Sequence, residues 1–166
     1  VPGSAAALLF GQSEDSSYEI SRSLRFNSAD SAYLNRTPSS AGNRRTWIWS
    51  GWVKRSKPGV RQSIFSAGSD GTDFHFQNTD KLHFYYYSGG YVGWCITDAV
   101  YRDVSAWYHI VLAVDTTQST SSDRCKIYVN GVRQEVTFSS TFALNSDLDV
   151  NNNVAHYIGR YSNGNN

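Results

Sequence analysis

The sequence predicts an all-β protein, an antiparallel sandwich or barrel. Short segments rich in β-branched and aromatic residues follow one another along the whole chain, each bounded by Gly, Asn, Asp or Ser. No stretch carries a convincing helical period. Aromatic residues make up 14% of the chain, with 11 Tyr and 5 Trp, as suits strands that pack sheet on sheet.

The elements read in order as follows. Residues 1–21 form an irregular arm ahead of the sandwich, which occupies 22–166. Ser23–Asn27 (SLRFN) is a first short strand, followed by a polar connection to Arg45 with turn residues Pro38, Ser39, Ser40, Gly42 and Asn43. WIWSGWVKR, Trp47–Arg55, is the strongest strand. Its Trp47, Trp49, Gly51 and Val53 share one face, and Ile48, Ser50, Trp52 and Lys54 the other. Apolar groups on both faces predict a central position in a sheet. Gln62–Ala67 is a strand closed by the turn Gly68–Gly71. Asp73–Gln77 and Lys81–Tyr87 then flank Asn78-Thr79-Asp80 as a hairpin. Pairing Gln77 with Lys81 sets Phe76 against Leu82, His75 against His83 and Phe74 against Phe84. Strict alternation then turns Phe74, Phe76, Leu82, Phe84 and Tyr86 inward, and Asp73, His75, Gln77, Lys81, His83, Tyr85 and Tyr87 outward. Strands follow at about Tyr91–Thr97, at Trp107–Asp115 and at Cys125–Val132. The pair Asn130-Gly131 marks a two-residue hairpin with Arg133–Thr137 returning, and Ala155–Arg160 is the last strand.

Composition narrows the function. The formal net charge is +1 with 17% charged residues, so no polyanion-binding field is implied and nucleic acid is not an expected partner. No apolar run approaches the ~20 residues of a membrane span, so no membrane insertion is expected. Ala5–Phe10 (AAALLF) lacks a basic flank and reads as part of an arm that docks elsewhere, not as a leader. Two cysteines permit one disulfide, which would stabilise by roughly 3 kcal/mol. The phasing argues against it: Trp94 and Ile96 read as inward, putting Cys95 outward, while Cys125 reads as inward with Ile127 and Val129. Two free thiols are expected.

Taken together, SLRFN, WIWSGWVKR, IFSAG, the DFHFQ/KLHFYYY hairpin, WYHIVLAVD, IYVNGV and HYIGR resemble the laminin-G-like, concanavalin A-like jelly-roll family. Each piece is weak alone; their order and spacing across Ser23–Arg160 is what resembles the family. The wording SLRFNSADSAYLNRT, Ser23–Thr37, resembles more narrowly the versions found in tailed-phage virion proteins. The resemblance implies an antiparallel jelly-roll sandwich. It also implies one more strand after Arg160, returning beside the first, where this sequence supplies only YSNGNN. Three explanations stand for that strand: residues of a longer protein, a strand donated by a partner chain, or the N-terminal arm. The edge beside Ser23–Asn27 is expected to be covered by one of them.

Candidate chemistry is sparse. The resemblance includes glucanases, which need paired carboxylates on one strand, but Glu14, Glu19 and Glu135 are scattered. No strained Gly-x-Ser-x-Gly turn presents a nucleophile, and no catalytic residue is assigned. Asp147, Asp149, Asn151 and Asn153 alternate as hard oxygen donors, a candidate calcium loop, against a solvated Asx-rich turn. No cofactor is expected beyond a candidate calcium ion there. His75 and His83 with Asp73 make at most a weak transition-metal clip. The outward hairpin face is the main binding candidate. His75, Gln77, His83, Tyr85 and Tyr87, with Tyr91 nearby, set rings beside hydrogen-bonding groups, as glycan sites and protein interfaces both do. A glycan, a protein partner and plain surface remain open for this face, as does its packing against another subunit or a covering loop. The combined expectation is a non-enzymatic virion structural or adhesion module of a tailed phage, assembled with other virion chains and touching cell-surface glycans. The alternative is a free, extracellular lectin-like domain.

Overall fold

The computed structural model describes residues 21–69 and 71–164; the arm expected over 1–21 lies almost wholly outside them. Among the described residues eleven strands make two antiparallel sheets: β1 Leu34–Arg36, β2 Thr46–Lys54, β3 Gln62–Ala67, β4 Thr72–Phe76, β5 Leu82–Tyr87, β6 Tyr91–Thr97, β7 Trp107–Asp115, β8 Cys125–Val129, β9 Val132–Arg133, β10 Val136–Ser140 and β11 His156–Ile158. The large sheet runs β1-β11-β3-β4-β5-β6-β10 and the small one β2-β7-β8-β9. This is the expected all-β sandwich.

The core lies between the sheets and is largely aromatic. The hairpin register is as read from the sequence, with Phe76 opposite Leu82, His75 opposite His83 and Phe74 opposite Phe84. Phe74, Phe76, Leu82 and Phe84 are fully buried. Trp47 from the small sheet meets Phe84 edge-on at 5.8 Å, and Trp49 meets Phe74 at 5.7 Å. Each such side chain contributes about 1.5–3 kcal/mol by leaving water. Asp80, at φ 67 in the hairpin turn, accepts hydrogen bonds from Gly59 N, Arg55 Nη1 and Arg102 Nε. The Gly59 amide, then Arg102 and Arg55, hold its carboxyl down to about 2. Arg55 also lies over the Phe76 ring at 4.4 Å, so the turn is locked to the end of β2. The Asn130-Gly131 turn has φ of 51° and 79°, the left-handed pair that a two-residue hairpin demands.

Four expectations are corrected. Ser23–Asn27 is not a strand: its side chains stay exposed, and Asn27 instead caps a short 3-10 turn at Ser28–Asp30. Among the described residues the first strand, and one of the two edges of the large sheet, is therefore β1. Second, β2 is not central. Among the described residues it pairs with β7 alone, and its second apolar face points to solvent, with Ile48 70% and Trp52 53% exposed. Third, the return after Asn130-Gly131 is short. Only Val132–Arg133 pairs with β8, and from Val136 the chain crosses to β6 in the other sheet.

Fourth, β6 is phased opposite to the reading. A register shift near Tyr91 and Gly93 sets Cys95 against the inward Phe84 and Trp94 against Tyr85. The core-facing set is then Gly93, Cys95 and Thr97, while Trp94 and Ile96 are half-buried on the other face. Gly93 is small because Phe142 occupies the space: a Cβ there would stand 2.1 Å from the Phe142 ring. The faces assigned to the cysteines are corrected with it. Cys95 and Cys125 both point into the core, fully buried, and their sulfurs are not bonded in this structure.

Candidate functional site

The outer face of the large sheet carries a chain of polar groups that the sequence placed on the surface and the fold largely covers. His75 and His83 face each other as expected but are only 3% and 4% exposed, and Asp73 and Tyr85 are buried with them. The expectation of an open surface here is therefore wrong for these four. Alternation put them outside the core. It did not say that Arg61, Trp94 and Tyr161 would close over them. Gln77 is half-buried; Tyr87 and Tyr91 stand exposed.

At the base of this cluster, Asp73 accepts hydrogen bonds from Arg61 Nη2 at 2.6 Å and Ser63 Oγ at 2.5 Å. Its Oδ2 also lies 2.6 Å from His75 Nδ1. Burial alone would raise the Asp73 carboxyl; His75, Ser63 and Arg61 outweigh it and hold the pKa below the usual carboxylate range. His75 Nε2 then meets His83 Nδ1 at 3.2 Å, and the Gln77 side chain reaches the same nitrogen at 3.1 Å. His83 is wedged against Trp94, ring centroids 4.6 Å apart, and Tyr85, at 5.3 Å. Burial first, and the neighbouring His75 second, push its pKa down to about 3, so the ring is neutral at physiological pH. Arg61 also donates to Tyr85 Oη at 3.1 Å and stacks on Tyr161 at 4.5 Å. Burial, with the Tyr161 hydrogen bond, raises the Tyr85 phenol pKa.

Above this floor opens a cleft of about 410 Å³ lined by Arg61, His75, Gln77, Asn78, His83, Tyr85, Tyr91 and Trp94. A smaller hollow of about 200 Å³ adjoins it between Tyr85, Tyr87, Tyr91 and Tyr161. The expected set His75, Gln77, His83, Tyr85, Tyr87 and Tyr91 is thus brought together. Sequence reasoning missed Arg61, Asn78, Trp94 and Tyr161. Trp94 reaches the cleft only through the register shift that sets Phe84 against Cys95 and so Tyr85 against Trp94. Arg61 and Tyr161 lie outside regular strands and carry no periodic signal.

The Asp73–His75–His83 chain resembles a proton relay, yet the neighbouring Ser63 Oγ donates to Asp73 itself. Asp73, the carboxylate beneath the cleft, is buried and ion-paired, the reverse of a general acid. Glu135 is exposed on the chain between β9 and β10, and Glu14 and Glu19 lie outside the described residues.

The calcium candidates go to separate partners. Asp147 pairs with Arg45 at 2.8 Å, and Asp149 packs on Gly68 and Gly71 with Arg44 at 3.8 Å. Asn151 and Asn153 donate their amides to the carbonyls of Asn43 and Ser39. Among the described residues no group of three or more His, Cys, Asp or Glu side chains is arranged to hold a metal ion.

A comparison with curated proteins and one with solved structures each yield no significant match. A family model does match, that of the concanavalin A-like lectin/glucanases superfamily, over residues 26–166, which takes in every strand of both sheets. Such domains are mostly binding domains, and some are glucanases; membership suggests a carbohydrate-binding or structural module. On that match and the two-sheet architecture beneath it, the chain belongs to the concanavalin A-like lectin/glucanases superfamily.

Proposed function

We propose that the domain is a non-enzymatic binding module whose cleft takes an uncharged glycan. The observation that carries this reading is the pairing of two exposed tyrosines, Tyr87 and Tyr91, with a rigid polar floor built on Asp73. Sugar C–H faces stack on such rings while hydroxyls find Gln77, Asn78 and the half-exposed Arg61. The cleft volume lies within the range of small-ligand sites. An uncharged ligand fits because Arg61 is already neutralised by Asp73 and His83 stays uncharged. The resemblance of Ser23–Thr37 to tailed-phage virion proteins supports a virion setting, with host-surface glycans as targets. An extracellular lectin remains the alternative setting.

The test is a glycan array followed by calorimetry, with the wild-type chain and Tyr91→Ala. The expected result is binding of a neutral oligosaccharide that weakens at least about tenfold in Tyr91→Ala, as loss of a central aromatic contact does, while the melting temperature holds. Absence of any array signal, or an unchanged affinity in the variant, refutes the assignment.

A second reading, assembly with other virion chains, has its own observation. Ile48, Trp52 and Trp107 stand exposed on the outer face of the small sheet, beside the strand edge of β2 that is unpaired among the described residues. That combination supports a protein contact.

A further inference from the structure

We infer that Cys95 and Cys125 form a disulfide that staples the two sheets together across the core. Cys95 lies on β6 of the large sheet and Cys125 on β8 of the small one. Both are fully buried, and their Sγ atoms are 3.2 Å apart. A bond of about 2 Å needs the sulfurs to close by little more than 1 Å, within reach of small side-chain rotations. The alternation argument against a bridge fails because β6 is shifted in phase, so both side chains arrive from facing inner surfaces.

The reaction is thiol–disulfide exchange. The two thiols lose two protons and two electrons, and one S–S bond forms between Cys95 and Cys125. A disulfide oxidant, either a small molecule such as oxidised glutathione or a dithiol oxidoreductase, is cleaved to two thiols. Burial pushes the Cys125 thiol pKa up and so suppresses the reactive thiolate in the folded state. The bond therefore forms while the chain folds, in an oxidising compartment, and afterwards lies out of reach of reductants. Its consequence for the cleft is direct. Cys95 adjoins Trp94, so the staple pins the strand that carries Trp94 and Tyr91 on its other face.

The experiment refolds the reduced full chain in a mixture of oxidised and reduced glutathione. The chain is then denatured with iodoacetamide present and its intact mass is measured. The expected product is a monomer lighter by two hydrogens with no alkylated cysteine. Its melting temperature should stand roughly 10 °C above that of the chain refolded under reductant, the shift such a loop closure implies. Cys95→Ala should melt at the same temperature with or without the oxidant. Two alkylated thiols, a glutathione adduct, or a dimer linked between chains would each overturn the inference. The wild-type mass decides even where the variant does not fold.

Discussion

Acid should unfold this domain earlier than its carboxylates alone require, and His83 is the reason. Its ring is packed against Trp94 and Tyr85 with His75 beside it, and its pKa falls from an ordinary ~6.5 to about 3. A group whose folded pKa is depressed binds its proton more readily in the unfolded chain. Its contribution is therefore complete above the unfolded pKa and is lost as pH falls from about 6.5 toward 3. At about pH 4.5 the unfolded ring is almost fully protonated and the folded ring almost not at all. Two pH units of linkage at ~1.36 kcal/mol each give about 2–3 kcal/mol of lost stability. The Asp73 carboxyl, held below its usual range, is still ionised there and loses little in that window. Urea denaturation at about pH 7 and about pH 4.5 measures the loss, with His83→Gln as the control that removes the titrating ring. The wild type should lose about 2–3 kcal/mol more than the variant between the two pH values. Equal losses in both proteins would show that His83 titrates normally, and the buried floor of the cleft would be misjudged.

Two further outcomes follow from the packing. Phe76→Ala should cost about 3–5 kcal/mol in urea denaturation, because the ring is fully buried under Tyr101 and Arg55; a cost near that of a surface change would contradict the core assignment. On the small sheet, Trp52→Lys should reduce self-association or partner binding measured by sedimentation without lowering the melting temperature, since Trp52 is half exposed and its ring packs on His109 at the surface. A monomer that behaves identically in wild type and variant would remove the assembly reading from this face.

The sequence by itself determined the all-β class, most strand positions and the hairpin register. A period of two and a short turn leave only one pairing that buries Phe74, Phe76, Leu82 and Phe84 together. It also determined that Gln77, His75, His83, Tyr85 and Tyr87 share the opposite face. Alternation, however, separates two faces without saying what covers the second. Only the tertiary structure decided that Arg61, Trp94 and Tyr161 bury His75, His83 and Tyr85 and leave Tyr87 and Tyr91 exposed. The register shift after Gly89-Gly90 reversed the phase of β6 and moved Trp94 to the cleft and Cys95 to the core. A one-residue shift inverts every later side chain, and nothing local in YVGWCIT announces it. Whether WIWSGWV sits inside a sheet or at its edge depends on which strands lie beside it. That is a property of distant pairings, and apolar residues on both faces of the strand could not reveal it.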